Sequence, residues 1–160
     1  MNTHVRDNLN ETAPAKGAGA GAIYVSEGSN SIVGRTLGDA EVATTESTAS
    51  TSYTNLATTG PGTSRTTGTK ALVLLGAAMR VNSADARVFM SIEVTGATAV
   101  SATDSLSINM TMPTASTFSE VGHHLFYSSL TAGVNTFTAK YRTTAGTADF
   151  ARRRILVIPL

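Results

Sequence analysis

Cysteine is absent from the 160 residues, which excludes disulfide bridges, thiolate metal sites and a cysteine nucleophile. Tryptophan is absent too, and the aromatics amount to 5 Phe and 4 Tyr, so there are few rings to stack on sugars or bases. Charged residues make up only 14% of the chain, against roughly 25% in an average soluble domain. The formal net charge is +1, so no global field draws the chain to nucleic acid or to an anionic membrane. No apolar run approaches the roughly 20 residues that span a bilayer. The N-terminal "MNTHVRDNLN" contains no apolar core of a secretory signal. The chain therefore reads as soluble, with no membrane insertion and no nucleic-acid partner.

What the sequence has in abundance is hydroxyl. Counted together, 26 Thr and 16 Ser supply about a quarter of the residues. Threonine's branched Cβ suits a pleated surface, so the bias leans toward strands. From Lys70 onward the pattern is strongly β. "KALVLLGAAMRV" is a long apolar run of the kind found in strands buried on both faces, with Gly76 suggesting a bend or bulge inside it. "RVFMSIEV" places Val88, Met90, Ile92 and Val94 on one face and Phe89, Ser91 and Glu93 on the other. "DSLSINMTM", "VGHHLFYSSL", "VNTFTAKYRT" and "FARRRILVIPL" complete the set, separated by the turns "TGA", "TAGVN" and "TTAGTAD". "STSYTNLAT", from Ser50, alternates well enough to be a first strand. Seven or eight strands at this spacing describe an antiparallel β-sandwich, of which a jelly roll is one wiring.

The N-terminal part is built differently. Residues 1–13 are polar and could form a short helix with Val5 and Leu9 on one side, ended by Pro14. Two apolar residues build no core, so such a segment docks on a partner or frays. Residues 14–42 read as short extended pieces and turns, and 43–49 as a Thr/Ser-rich linker. The expected organisation is an attachment and oligomerisation arm over 1–42, the linker 43–49, and a sandwich over 50–160.

Chemistry-bearing motifs are few. Gly17, Gly19 and Gly21 invite comparison with a phosphate loop. Such a loop needs a strand before it and a helix after it, and Lys16 precedes the glycines instead of following them. With Pro14, these glycines read as a hinge. His123 and His124 are adjacent, so in a strand they face opposite sides and cannot chelate one ion. Asp85, Glu93, Asp104, Glu120 and Asp149 are scattered, and no G-x-S-x-G elbow occurs. No catalytic, metal or cofactor site is expected, and the chain is not expected to be an enzyme. In a strand the run Arg152 to Arg154 alternates faces, so at most two share a side, and solvated or interface ion pairing is the expected use.

Two stretches resemble known virion proteins. "NTHVRDNLNETAPAKGAGAGAIYVSEGSNSIVGR" is similar to a segment of tail and fibre proteins of tailed bacteriophages, through Asn2, Thr3, Val5, Arg6, Asp7 and Asn8, then Ala13 to Lys16 and Ala22 to Val33. The tryptophan that precedes this element in the family is missing. "SYTNLATTGPGTSRTTGTKALVLLGAAM" and "LTAGVNTFTAKYRTTAGTADFARRRILVIPL" resemble the C-terminal β domain of actinobacteriophage virion proteins.

The resemblance implies a capsid decoration protein, head fibre or small tail fibre. It would be a homo-oligomer, commonly a trimer, held in the virion and assembled in the bacterial host cytoplasm. Attachment to a major capsid or tail protein would fall to Val5, Arg6, Asp7, Asn8 and Leu9, with the hinge at Pro14, Gly17, Gly19 and Gly21. The alternative is a tail-fibre module that binds host surface carbohydrate, for which Tyr53, Phe126, Tyr127 and Tyr141 are the candidate aromatics.

Overall fold

The computed structural model describes residues 21–160 apart from Asn30 and Thr114. The chain there forms eleven strands, and every pairing between them is antiparallel. Strands β1 (Ala22–Gly28) and β2 (Ser31–Thr36) make a two-stranded hairpin. Next come β3 (Gly38–Val42), β4 (Glu46–Thr48), β5 (Gly62–Thr67) and β6 (Ala71–Val81). Strands β7 (Arg87–Gly96), β8 (Ser107–Thr111), β9 (Ser119–Tyr127), β10 (Gly133–Thr143) and β11 (Ala148–Pro159) follow.

Two sheets face each other. One runs β5-β10-β7-β8; the other runs β3-β11-β6-β9, with β4 continuing the line of β3 along β11. From β5 onward the chain crosses between the sheets at every step except β7 to β8. That wiring is a jelly roll. The inner faces interleave Val73, Leu75, Met79, Val88, Met90 and Ile92 with Phe137, Tyr141, Phe150, Ile155 and Val157 in one core. The alternation expected for β7 is observed, and β10 buries Phe137, Ala139 and Tyr141 in the same way.

Several local expectations are corrected. "STSYTNLAT" is not a strand: it meets β10 only through the bridge of Thr54 to Tyr141 and a bond from the Thr143 N–H to the Ser50 carbonyl. Gly76 does not break β6. The irregularity lies across from it in β11, where Arg152 and Arg153 together oppose Ala77 and Arg152 adopts φ +49°. This bulge has a reason in the sequence. Ala148 and Phe150 point inward, and so do Ile155 and Val157. Even and odd positions cannot share a face of one regular strand, so one extra residue must be absorbed between them.

Sandwich pairing also begins earlier than residue 50. Val42 opposite Arg153 through Gly38 opposite Val157 form a full edge of the second sheet, and β4 falls inside the expected linker. These short strands carry little apolar mass and draw their order from backbone bonds to β11. Of the hinge and attachment residues, Val5 to Leu9, Pro14, Gly17 and Gly19 lie outside the described residues. Gly21 sits exposed at φ +80°, just before β1.

Candidate assembly interface

The two outer faces of the sandwich differ in chemistry. On the four-stranded sheet, outward side chains from β5, β7 and β10 include Ser64, Thr66, Glu93, Thr95, Thr136, Thr138, Lys140 and Arg142. Several of them pair, and Val134 of β10, exposed by 58%, is one apolar side chain at the end of this face. Ser64 and Thr136 share a hydroxyl hydrogen bond at 2.6 Å, and Lys140 pairs with Glu93 at 3.1 Å. Phe89 also projects from this face, yet it is fully buried. The Arg142 guanidinium lies 3.8 Å from its ring centre and that of Arg87 lies 5.0 Å away. Arg142 donates to Asp104, and Tyr53 donates to the same carboxylate at 2.9 Å. Arg142 holds the Asp104 carboxyl below its ordinary range, while burial and the Asp104 partner raise the Tyr53 hydroxyl.

The outer face of the five-stranded sheet is the opposite. Leu72 lies between Phe126 of β9 and Ile158 of β11, and Leu74 lies between His124 and Leu156. Leu74 and Phe126 are exposed, Phe126 by 58%, and Leu72, Leu156 and Ile158 are half-buried. One step further along, Gly76 pairs with Gly122 on one side and with Arg154 on the other. The Arg154–Glu41 pair at 3.1 Å marks the rim. A trough of about 500 Å³ runs there, lined by Asp39, Glu41, Leu74, Gly76, Arg154 and Leu156.

The runs "ALVLLGAA" and "ILVI" explain this patch. Such runs suit strands covered on both faces. Here one face is covered by the sandwich core, while the other carries apolar side chains with no layer of this chain over them among the described residues. Contiguous apolar surface left exposed is a common feature of interaction sites.

The remaining candidates fall elsewhere. His123 and His124 are exposed neighbours with ring centres 5.7 Å apart. Among the described residues no three His, Asp or Glu side chains come together. Glu93, Asp104, Glu120 and Asp149 each pair with a basic side chain. Tyr127 and Tyr141 belong to the core, and Tyr53 is tied to Asp104, which leaves Phe126 as the exposed candidate aromatic.

The arginine run also needs correcting. Arg152 and Arg154 are exposed and pair with Glu120 and Glu41, but Arg153 is fully buried, paired with Glu46 at 2.9 Å. The odd offset between Phe150 and Ile155 is the signal that turns it inward.

No family model matches the chain, and no curated protein matches it in sequence. Among solved structures it is similar to a chain in the structure of infectious bursal disease virus, Gt strain. Identity is 11% and the TM-score 0.52, over 83% of this chain and 35% of that one. This chain thus spans about a third of the length of its viral counterpart. Lower similarity is found to Eiger TNF from S. frugiperda (12% identity, TM-score 0.47, covering 78% of this chain and 92% of that one). It is found also to a carbohydrate-binding module of Cellvibrio mixtus lichenase 5A (14% identity, TM-score 0.38, covering 85% and 86%). What the chain shares with the viral protein is the β-sandwich fold.

Proposed function

We propose that this protein is a non-enzymatic structural component of a virion, assembled from several copies through the apolar outer face of its five-stranded sheet. The observation that carries the reading is the contrast between the two outer faces. One is apolar around Leu72, Leu74 and Phe126, with no layer over it among the described residues; the other is polar and internally paired around Arg142, Asp104 and Thr136. Burying the first between copies and presenting the second to solvent satisfies both. The fold shared with a viral particle chain supports the setting, and so does the resemblance of both ends of the sequence to phage fibre and virion proteins. Within that setting the chain fits a trimeric decoration protein or head fibre of a tailed phage, held to the particle by the segment around Val5 to Leu9.

Sedimentation of the purified full chain tests the assembly step. The wild type should sediment as an oligomer, with three copies favoured. Leu74→Asn combined with Phe126→Ser should give monomers with an unchanged far-UV β spectrum. A wild type that stays monomeric at all concentrations would overturn the reading.

A further inference from the structure

We infer that copies join head to tail, the β1–β2 hairpin of one copy seating Tyr24 over the bare Gly76–Gly122 backbone of the next. This rests on the apolar face being a contact between copies.

The first observation is the notch. A Cβ placed on Gly76 would meet only the Val121 carbonyl oxygen, at 3.9 Å, and one on Gly122 only the Leu75 carbonyl oxygen, at 3.3 Å. Beyond chain neighbours, no side-chain atom among the described residues comes within 4 Å of a Cβ at either position, and the Arg152–Glu120 ion pair borders the notch. The flanking Leu74 and His124 rise on one side of it and Glu120 on the other. A flat ring laid there would shield sheet hydrogen bonds from water and fill a gap in an otherwise apolar surface.

The second observation is the hairpin. Two isolated antiparallel strands are marginal alone in water. This pair carries Tyr24, exposed by 52%, and Ile32 on the face turned away from Ile23, Val25 and Val33. Tyr24 sits across from Gly34, so no opposing side chain covers its ring.

The hairpin does not reach the notch of its own copy. Val25, Ser26 and Glu27 lie beside Gly68, Thr69, Lys70 and Leu160. Lys70 is six residues along the chain from Gly76, roughly 20 Å at the rise of a strand. The rings of the same copy on that face, His124 and Phe126, leave the notch open, and Tyr24 of another copy is the ring proposed to fill it. Because donor and acceptor surfaces differ, the contact is heterologous, and a closing rotation makes a ring.

Mixing experiments on the full chain test this. Tyr24→Ser/Ile32→Ser should abolish assembly, and so should Gly76→Gln, whose Cβ fits the monomer but blocks the notch. Each hairpin variant keeps an intact notch and each Gly76→Gln chain keeps an intact hairpin. An equimolar mixture of the two should therefore form heterodimers and stop there. An assembled Tyr24→Ser/Ile32→Ser variant, or an equimolar mixture that forms no heterodimer, would overturn the hairpin contact while leaving the apolar face as the interface. A monomeric wild type would remove both.

Discussion

Arg153, enclosed between the two sheets, donates from Nη2 to Glu46 Oε2 at 2.9 Å, and so clamps the short β4 strand to β11. The same guanidinium contacts the Gly60 carbonyl and lies 5.4 Å from the Tyr141 ring centre. Strand β4 and the loop at Gly60, both of weak intrinsic preference, converge on one buried charge. Removing a single partner leaves the other uncompensated, at a cost of about 3–5 kcal/mol. Glu46→Gln and Arg153→Met should each lower the thermal midpoint by roughly 10 °C, at about 2–4 °C per kcal/mol for a chain of this size. The double variant Glu46→Leu/Arg153→Met should recover part of that loss. Calorimetry on the three variants measures it, and single variants with wild-type midpoints would show that the pair does not hold β4.

The same pair gives a pH dependence of definite sign. Hydrogen bonds from the Thr58 hydroxyl and backbone, with the Arg153 charge, outweigh burial and hold the Glu46 carboxyl below its ordinary value of 4.5. A carboxylate with a lowered folded pKa contributes stability that is whole above the unfolded value and lost as pH falls through the folded one. Urea midpoints should be level from pH 7 to about 5 and drop below 4.5, with Asp104 adding to the drop below its ordinary 3.8. Glu46→Gln should flatten the upper part of that acid limb. An identical limb in the variant would assign the loss to other carboxylates.

Tyr127 and Tyr141 share the core but not their hydrogen bonding. The Tyr141 hydroxyl donates to the Gly60 carbonyl at 2.7 Å, whereas the Tyr127 hydroxyl is buried without a partner in the described structure. Burial alone pushes Tyr127 up to about 12. Its ring packs edge-on to Phe137 at 5.8 Å, a contact that phenylalanine would keep. Tyr127→Phe should therefore hold or raise stability, by up to about 1 kcal/mol, and Tyr141→Phe should lower it by a similar amount. Denaturant unfolding of both proteins distinguishes the two hydroxyls; equal losses would mean that Tyr127 is also bonded.

These differences track what a single sequence can carry. Strands β6, β7 and β10 were legible because their apolar positions alternate or run continuously, and each meets the core through its own side chains. Strand β3, "GDAEV", has no such signal, since it is ordered by backbone bonds to β11. The buried Arg153 was legible only through parity, as Phe150 and Ile155 stand an odd number apart. The apolar outer face was half legible: "ALVLLGAA" reads as a strand covered twice, but no second cover is present among the described residues. The pairing of Gly76 with Gly122 depends on register, which the sequence does not state.

The edge strand also decides where the chain can be shortened. A cut after residue 42 removes β3 and exposes the N–H and C=O groups of Arg153 to Val157, which now pair with it. An uncovered edge is a template for aggregation. A cut after Thr36 removes only the hairpin, whose own ladder is separate from both sandwich sheets. It also takes away the Glu27–Arg35 pair as a unit, so neither charge is left without the other. Compared with the dissociated full-length chain, the protein beginning at residue 37 should therefore melt at nearly the same midpoint and scatter less than the shorter one. The protein beginning at residue 43 should melt several degrees lower and scatter light. Equal behaviour of the two would mean that β3 adds nothing to the sandwich, and would return the boundary to residue 42.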